Sequence, residues 1–380
     1  MLTAIGRRSN EGGQDSGKFF SDGDHRGIPA EFGARIERML DRLDSCEKMR
    51  WTSIWRIITD EVIAKPETAS DSASAGKYSE RNLKTIFLLV ALGLTPAQLL
   101  AQEPIQEARQ WVHGAPPGRP CSQHLQVHDA GPGVYILRQN KCVNFEAPFM
   151  YLILGEKRAL LLDTGAEPAA GTTLPLVDTV DRLIRSWEAQ RQGRAVNLLV
   201  AHTHNHRDHR HLDDEFKARP KTTVIGTSAD AVKSAFGFTR WPDDEASIDL
   251  GERKLSVLPL PGHEASHLAF YDHRSGTLFS GDSLYPGLLT VRDWAAYRHS
   301  IARLLAFAQR YPVTAIAGAH IEMSKTPGEM YPLGSPFQPE EHALFLRTRQ
   351  LQELYDALTA QGDKPTRIER SDFIVAPVAP

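Results

Sequence analysis

The sequence predicts an α/β layered domain, and three observations predict it. From Gly133 onward, short apolar runs alternate with amphipathic stretches, the pattern of strands interleaved with helices. Four of the apolar runs lead straight into a His or Asp. One of them opens "AHTHNHRDHRH" (Ala201–His211), which places five histidines in eleven residues. Imidazoles titrate near neutrality and repel one another once charged, so such a cluster points to something they hold.

The elements come in order. Residues 1–80 form an N-terminal extension. Its first 30 residues are rich in Gly, Ser, Asp and Arg, a composition that predicts disorder. Apolar residues from Phe32 to Val62 recur at helical spacing, which predicts an amphipathic helix over 30–64. Residues 65–80 read as a linker. Residues 81–101 carry Arg81 and Lys84, an apolar run from Thr85 to Leu94, then small residues, the layout of a secretory signal. The run is too short to span a membrane. The expectation is a periplasmic or secreted protein with a mature end near Gln102 if this segment acts as a signal, and a cytoplasmic one otherwise. A signal this far along also suggests a chain that begins nearer the Lys/Arg cluster. Export would leave Cys121 and Cys142, which either pair or stay as two free thiols. Residues 102–125 form a turn-rich lead-in, and 126–380 the main domain.

Strands are expected at Val134–Leu137, Met150–Leu154, Ala159–Asp163, Val196–Ala201 and Thr222–Gly226. Others are expected at Leu255–Leu260, His267–Asp272, Thr277–Asp282 and Thr314–Ala319. Helices are expected at Leu174–Arg191, Ser228–Phe236, Val291–Arg310 and Pro339–Ala360. A Pro/Gly-rich loop, Thr326–Pro339, should lie over the site edge. The strand "NLLVA" leads into the histidine cluster, "SVLPL" into His263, "TLFSG" into Asp282 and "AIAGA" into His320. Loops beyond buried strands converge on one edge of a sheet, where α/β proteins place their sites.

These residues resemble a known family. "HNHRDH" (His204–His209) fits the H-x-H-x-D-H signature of the metallo-β-lactamase-fold superfamily. "LLLDTGA", "LPGH", "SGDSL" and "AGAH" fit its other motifs in order, over about Gly133 to His320. The resemblance implies a four-layer αββα sandwich with a dinuclear centre. It implies one metal on His204, His206 and His263, a second on Asp208, His209 and His320, and Asp282 between them. Zinc suits this donor set, and iron and manganese also accept it. Asp208 is expected to steer the proton of the nucleophilic water. Asp163 and His202 are expected behind the ligands, hydrogen-bonding around them. Tyr285, Tyr331 and Phe337 are candidates for the substrate pocket.

The resemblance implies a hydrolase, in which a metal-bound hydroxide cleaves a small ester, thioester, lactone or amide. A class B β-lactamase and a mononuclear iron persulfide dioxygenase are the alternatives. "DHRHLDD" lacks the small residues that β-lactamases carry there, and a full second ligand set argues against a single iron. The partner is a small-molecule substrate. A formal net charge of −3 gives no electrostatic footprint for nucleic acid.

Overall fold

Side-chain alternation along the strands explains the layering. In β3 (Phe149–Leu154), Phe149, Tyr151 and Ile153 enter one core while Met150, Leu152 and Leu154 enter another. Successive strand residues point to opposite faces. All six residues are buried, so this strand is covered on both sides. The computed structural model describes residues 102–378. The expected extension over 1–80, its helix at 30–64 and the signal-like segment 81–101 lie outside the described residues.

Among the described residues, the first six-stranded sheet runs β1 (Leu125–Gly131), β2 (Val134–Gln139), β3, β4 (Arg158–Leu162), β5 (Asn197–Ala201) and β6 (Thr222–Val224) in spatial order. The second sheet contains β7 (Ala246–Asp249), β8 (Lys254–Pro259), β9 (Leu268–Asp272), β10 (Thr277–Gly281), β12 (Ala315–Gly318) and β13 (Phe345–Leu346). Its spatial order is β13-β12-β10-β9-β8-β7. Strand β11 (Leu288–Val291) joins β14 (Ile368–Glu369) and β15 (Ile374–Pro377) in a small third sheet.

Phe149, Tyr151 and Leu160 of the first sheet meet Val257, Phe270 and Phe279 of the second in a central core. Helix α1 (Leu176–Gln190) covers the first sheet's outer face with Val180, Ile184 and Trp187. Two short helices, α2 (Asp213–Ala218) and α3 (Ala229–Phe236), follow the histidine segment. Helices α4 (Trp294–Arg310) and α5 (Thr348–Gln361) cover the second sheet's outer face with Ile301, Leu304, Leu351 and Leu354. The result is the four-layer αββα sandwich.

Two helix boundaries differ from expectation. Helix α5 begins at Thr348 rather than Pro339. The stretch before it is extended instead, because Phe345 and Leu346 pair with β12 and bury their side chains at the sheet edge. Helix α4 begins at Trp294 rather than Val291, since Val291 ends β11 and the Asp293 carboxylate caps Ala296 N–H at 2.9 Å. Cys121 and Cys142 are joined as a disulfide with Cα atoms 6.0 Å apart, tying the β2–β3 loop to the segment before β1.

One buried ion pair joins the sheets. Arg253 Nη2 donates to Asp272 Oδ2 at 2.6 Å, and its Nη1 donates to the carbonyls of Pro132, Gly133 and Leu154. Burial opposes ionisation of Asp272, but Arg253 outweighs it and lowers the carboxyl below its ordinary value. Asp272→Asn should cost about 3–5 kcal/mol at pH 7, because it leaves a buried guanidinium without its counter-charge. The stabilisation from a depressed carboxyl is present above the unfolded value, about 3.9, and is lost as pH falls through the folded one. Denaturant midpoints should therefore differ widely at pH 7 and converge in acid. A gap that did not narrow would contradict this account.

Candidate functional site

Four strand ends supply the site. The segment after β5 carries His204, His206, Asp208 and His209, the last two in a short 3-10 turn, Arg207–His209. His263 follows β8, Asp282 follows β10 and His320 follows β12. Two glycines shape these exits. Gly262 has φ +144, and a Cβ there would stand 2.4 Å from Tyr297 Cα. Gly281 has φ +51, and a Cβ there would stand 2.7 Å from Thr203 Cβ. Only glycine lets the chain turn this closely beside His263 and Asp282.

The side chains gather in two groups. His204, His206, His263 and Asp282 form one, and Asp208, His209 and His320 the other. His206 Nδ1 lies 2.9 Å from His204 Nε2 and 3.1 Å from His263 Nε2. Asp208 Oδ2 lies 3.1 Å from His209 Nε2 and 3.3 Å from His320 Nε2. Asp282 stands between the groups. Its Oδ2 is 3.7 Å from His204 Nε2, 3.5 Å from His263 Nε2 and 3.6 Å from His209 Nε2, while its Oδ1 is 3.5 Å from His320 Nε2.

The far nitrogens of the rings are fixed by partners behind them. His263 Nδ1 donates to the Thr290 carbonyl at 2.8 Å, and His320 Nδ1 to the Glu146 carbonyl at 3.0 Å. His209 Nδ1 donates to Asp163 Oδ2 at 2.9 Å. Each such bond turns Nε2 towards the cluster, where it can offer a lone pair once unprotonated, which is how proteins orient imidazole ligands. Asp163 also accepts from Thr203 N–H (2.8 Å) and the Thr203 hydroxyl (2.9 Å), and its own φ of +66 is unusual for a non-glycine residue.

The electrostatics divide along the same line. Burial pushes His204, His206 and His263 below the ordinary histidine range, so these rings are neutral donors. In the other group burial works against charge, but the neighbours prevail. Asp208, Asp163 and Asp282 push His209 well up, and Asp282 and Asp208 push His320 up to about 9. The histidines in turn hold Asp208 and Asp282 below the carboxylate range. A divalent cation fits these residues. The Asp282 Oδ1 atom is buried with no hydrogen-bond partner, and six further donor atoms converge around that carboxylate. Imidazole and carboxylate together, without thiolate, suit zinc, iron or manganese.

The other expected residues take different places. His202 belongs to neither group. Its Nε2 pairs with Asp213 Oδ1 at 2.8 Å, and the same oxygen accepts from the Thr164 hydroxyl at 2.8 Å. Tyr285 is buried, with its hydroxyl donating to the Leu288 carbonyl at 2.8 Å, and its ring packs 5.5 Å from that of His320. It forms a wall behind the ligand rather than an open pocket surface. Tyr331 lines a small pocket with Lys141, Glu322 and Gln338 that includes no residue of the cluster. Phe337 packs on His113 of the lead-in and anchors the loop instead. Sequence reasoning missed His267, four residues past His263. It stacks on His204 at 5.0 Å, and its Nε2 accepts Asp282 N–H at 3.1 Å.

A sequence model of the metallo-beta-lactamase superfamily matches residues 143–320. Over that segment, a little less than half of its length, the chain is similar to the superfamily. It is 31% identical to a hydroxyacylglutathione hydrolase from Chelativorans sp. (strain BNC1) over 29% of this chain and 42% of that protein. The chain thus spans less than half the length of that curated relative. It is 25% identical to the acyl-coenzyme A thioesterase MBLAC2 from Homo sapiens over 44% of this chain and 68% of that protein. Among solved structures, a metallo-beta-lactamase from Pontibacter korlensis is 19% identical with a TM-score of 0.40, covering 62% of this chain and 100% of that one.

Proposed function

We propose that the chain is a metal-dependent hydrolase of a small ester, thioester, lactone or amide. The observation that carries the reading is the placement of Asp282, whose two carboxylate oxygens reach both donor groups. His204, His206 and His263 would hold one divalent cation and Asp208, His209 and His320 a second, with Asp282 spanning them. Bound there, the cations supply Lewis acidity at an acyl oxygen and acidify a water into a nucleophile at neutral pH. The chain's own groups do the rest. Asp163, Thr290 and Glu146 hold the ligand rings in place from behind. Asp208, less buried than Asp282, is placed to hold the proton of the attacking water and pass it to the leaving group.

Thioesters come first among the substrate classes, since a thioesterase and a hydroxyacylglutathione hydrolase are among the relatives. The same reading extends to location. The Cys121–Cys142 disulfide suits an oxidising compartment, which supports export. The test is a panel of acyl thioesters, esters, lactones and a β-lactam on metal-replete protein, with elemental analysis. At least one acyl substrate should turn over, and chelation should stop it. Protein carrying two equivalents of metal that cleaves none of them would end the hydrolase reading.

A further inference from the structure

The rings of the cluster are not all anchored on equally firm ground. His209 is held by Asp163, directly after β4, and His263 by Thr290, within β11. His320 is held by the Glu146 carbonyl, which belongs to the β2–β3 loop, residues 140–148. A strand is fixed by its ladder, whereas a loop keeps its shape only through the contacts made along it.

That loop stores strain beside the carbonyl. Ala147 is buried and has φ +46, a left-handed conformation that a residue with a Cβ resists. The Glu146 carbonyl and the Ala147 N–H lie in one planar peptide. Phe149 begins β3, so the chain downstream is fixed. A return of Ala147 to negative φ therefore turns the peptide plane, and with it the carbonyl to which His320 Nδ1 donates. A strained conformation persists only where its surroundings over-determine it. Two anchors do so here. On one side Asn144 Oδ1 accepts from Glu146 N–H at 2.8 Å, Asn144 Nδ2 donates to the Glu167 carbonyl at 2.9 Å, and Ala169 N–H donates to the Val143 carbonyl at 2.6 Å. On the other side Asn140 Nδ2 donates to the Gln123 carbonyl at 2.7 Å, and Cys142 is joined to Cys121. Ser122 and Gln123 are exposed, so water competes for the hydrogen bonds of this second anchor and the covalent bond secures it.

We propose that the Cys121–Cys142 disulfide is a positioning device for the second cation group, acting through the strained Glu146–Ala147 peptide on His320. The inference rests on the two-cation assignment in the hydrolase reading above. Its logic is a short chain of contacts. The disulfide pins the loop, the pinned loop keeps Ala147 left-handed, and that conformation aims the Glu146 carbonyl at His320 Nδ1. The ring is then held with Nε2 towards Asp208 and Asp282, at 3.3 and 3.5 Å. Freed of its anchor, the ring can rotate, and a ligand that must be ordered on binding holds a cation less tightly. His204, His206 and His263 have no contact with this loop among those that orient them, so the first group is spared. Asp282, shared by both groups, takes its backbone hydrogen bond from His267 and is spared as well.

The experiment titrates the full chain, stripped of metal, with zinc in a calorimeter. Wild type should take two equivalents, and the one lost in His320→Ala marks the second group. Cys121→Ser combined with Cys142→Ser removes the bond, keeps the side chains' size and leaves no new thiol to bind zinc. It should weaken the second equivalent about tenfold or more and leave the first nearly unchanged. Adding Ala147→Gly, which adopts φ +46 without strain, should restore most of the loss. A merely structural disulfide would weaken both equivalents together and gain nothing from that glycine. If the paired serine variant does not fold, Asn144→Ala loosens the same peptide from the other side, and the same selective loss and rescue are expected. A second equivalent as tight as in wild type, a loss shared by both equivalents, or a loss that Ala147→Gly leaves in place overturns the proposal, as does a wild type that never takes a second equivalent. The titration needs no turnover, which keeps the two failures apart. Two bound zinc ions with no acyl substrate cleaved would end the hydrolase reading and leave the positioning role to stand on the variants.

Discussion

Stripping metal with a chelator should abolish turnover, and His206→Ala should cut it by about 10²–10³-fold or more, the scale on which lost transition-state electrostatics registers. His206 is the informative ligand because it is the least buried of its group, and its Nδ1 touches both His204 and His263. Its removal deletes a donor without opening the core beneath. Helices α1, α4 and α5 pack on cores that do not include it, so they should keep their far-ultraviolet signal. Stability should fall on metal removal as well. A ligand present at 1,000 times its Kd stabilises the folded chain by about 4 kcal/mol. The checks are kcat/KM, bound metal per chain and the melting temperature, with and without chelator. Full turnover in metal-free protein, or an unaltered kcat/KM in His206→Ala, would sink the mechanism.

What could be read from the sequence was local. The ligand spacing in "HNHRDH" and the apolar runs ahead of His263, Asp282 and His320 are patterns of neighbouring residues, and the structure brings those side chains together. The central strands were legible for the same reason, since a run such as Met150–Leu154 is apolar on both faces. The partners that orient the ligands were not legible. Thr290 and Glu146 act through backbone carbonyls, which carry no residue-type signal, and Glu146 lies 174 residues from His320. Asp213 has no local pattern that singles it out, and only the fold shows it pairing with His202 and the Thr164 hydroxyl. The third sheet was missed because its strands are short and β11 pairs with β15 across some eighty residues.

The bridge is the other decisive position. Asp282→Asn keeps the side chain's size but removes its charge and one good ligand oxygen. Metal content should fall from about two towards one per chain, and turnover by about a hundredfold or more. The rival view takes Ser283 as the residue that faces the centre, as the β-lactamase alternative would have it. The geometry separates the two. Asp282 directs both oxygens at the histidine groups, and Oδ1 has no hydrogen-bond partner. Ser283 is fully buried, and its hydroxyl lies 3.3 Å from His267 Nδ1, on the ring that also accepts Asp282 N–H. Ser283→Ala should therefore cost about 1 kcal/mol of stability for one lost hydrogen bond, with metal content unchanged. Any loss of turnover should be small beside that of Asp282→Asn, because the hydroxyl acts through His267 and not on the metal. Elemental analysis and kcat of the two variants, measured side by side, decide the matter. Two retained metals and near-normal turnover in Asp282→Asn, with a large loss in Ser283→Ala, would remove Asp282 as the bridge and favour the β-lactamase alternative.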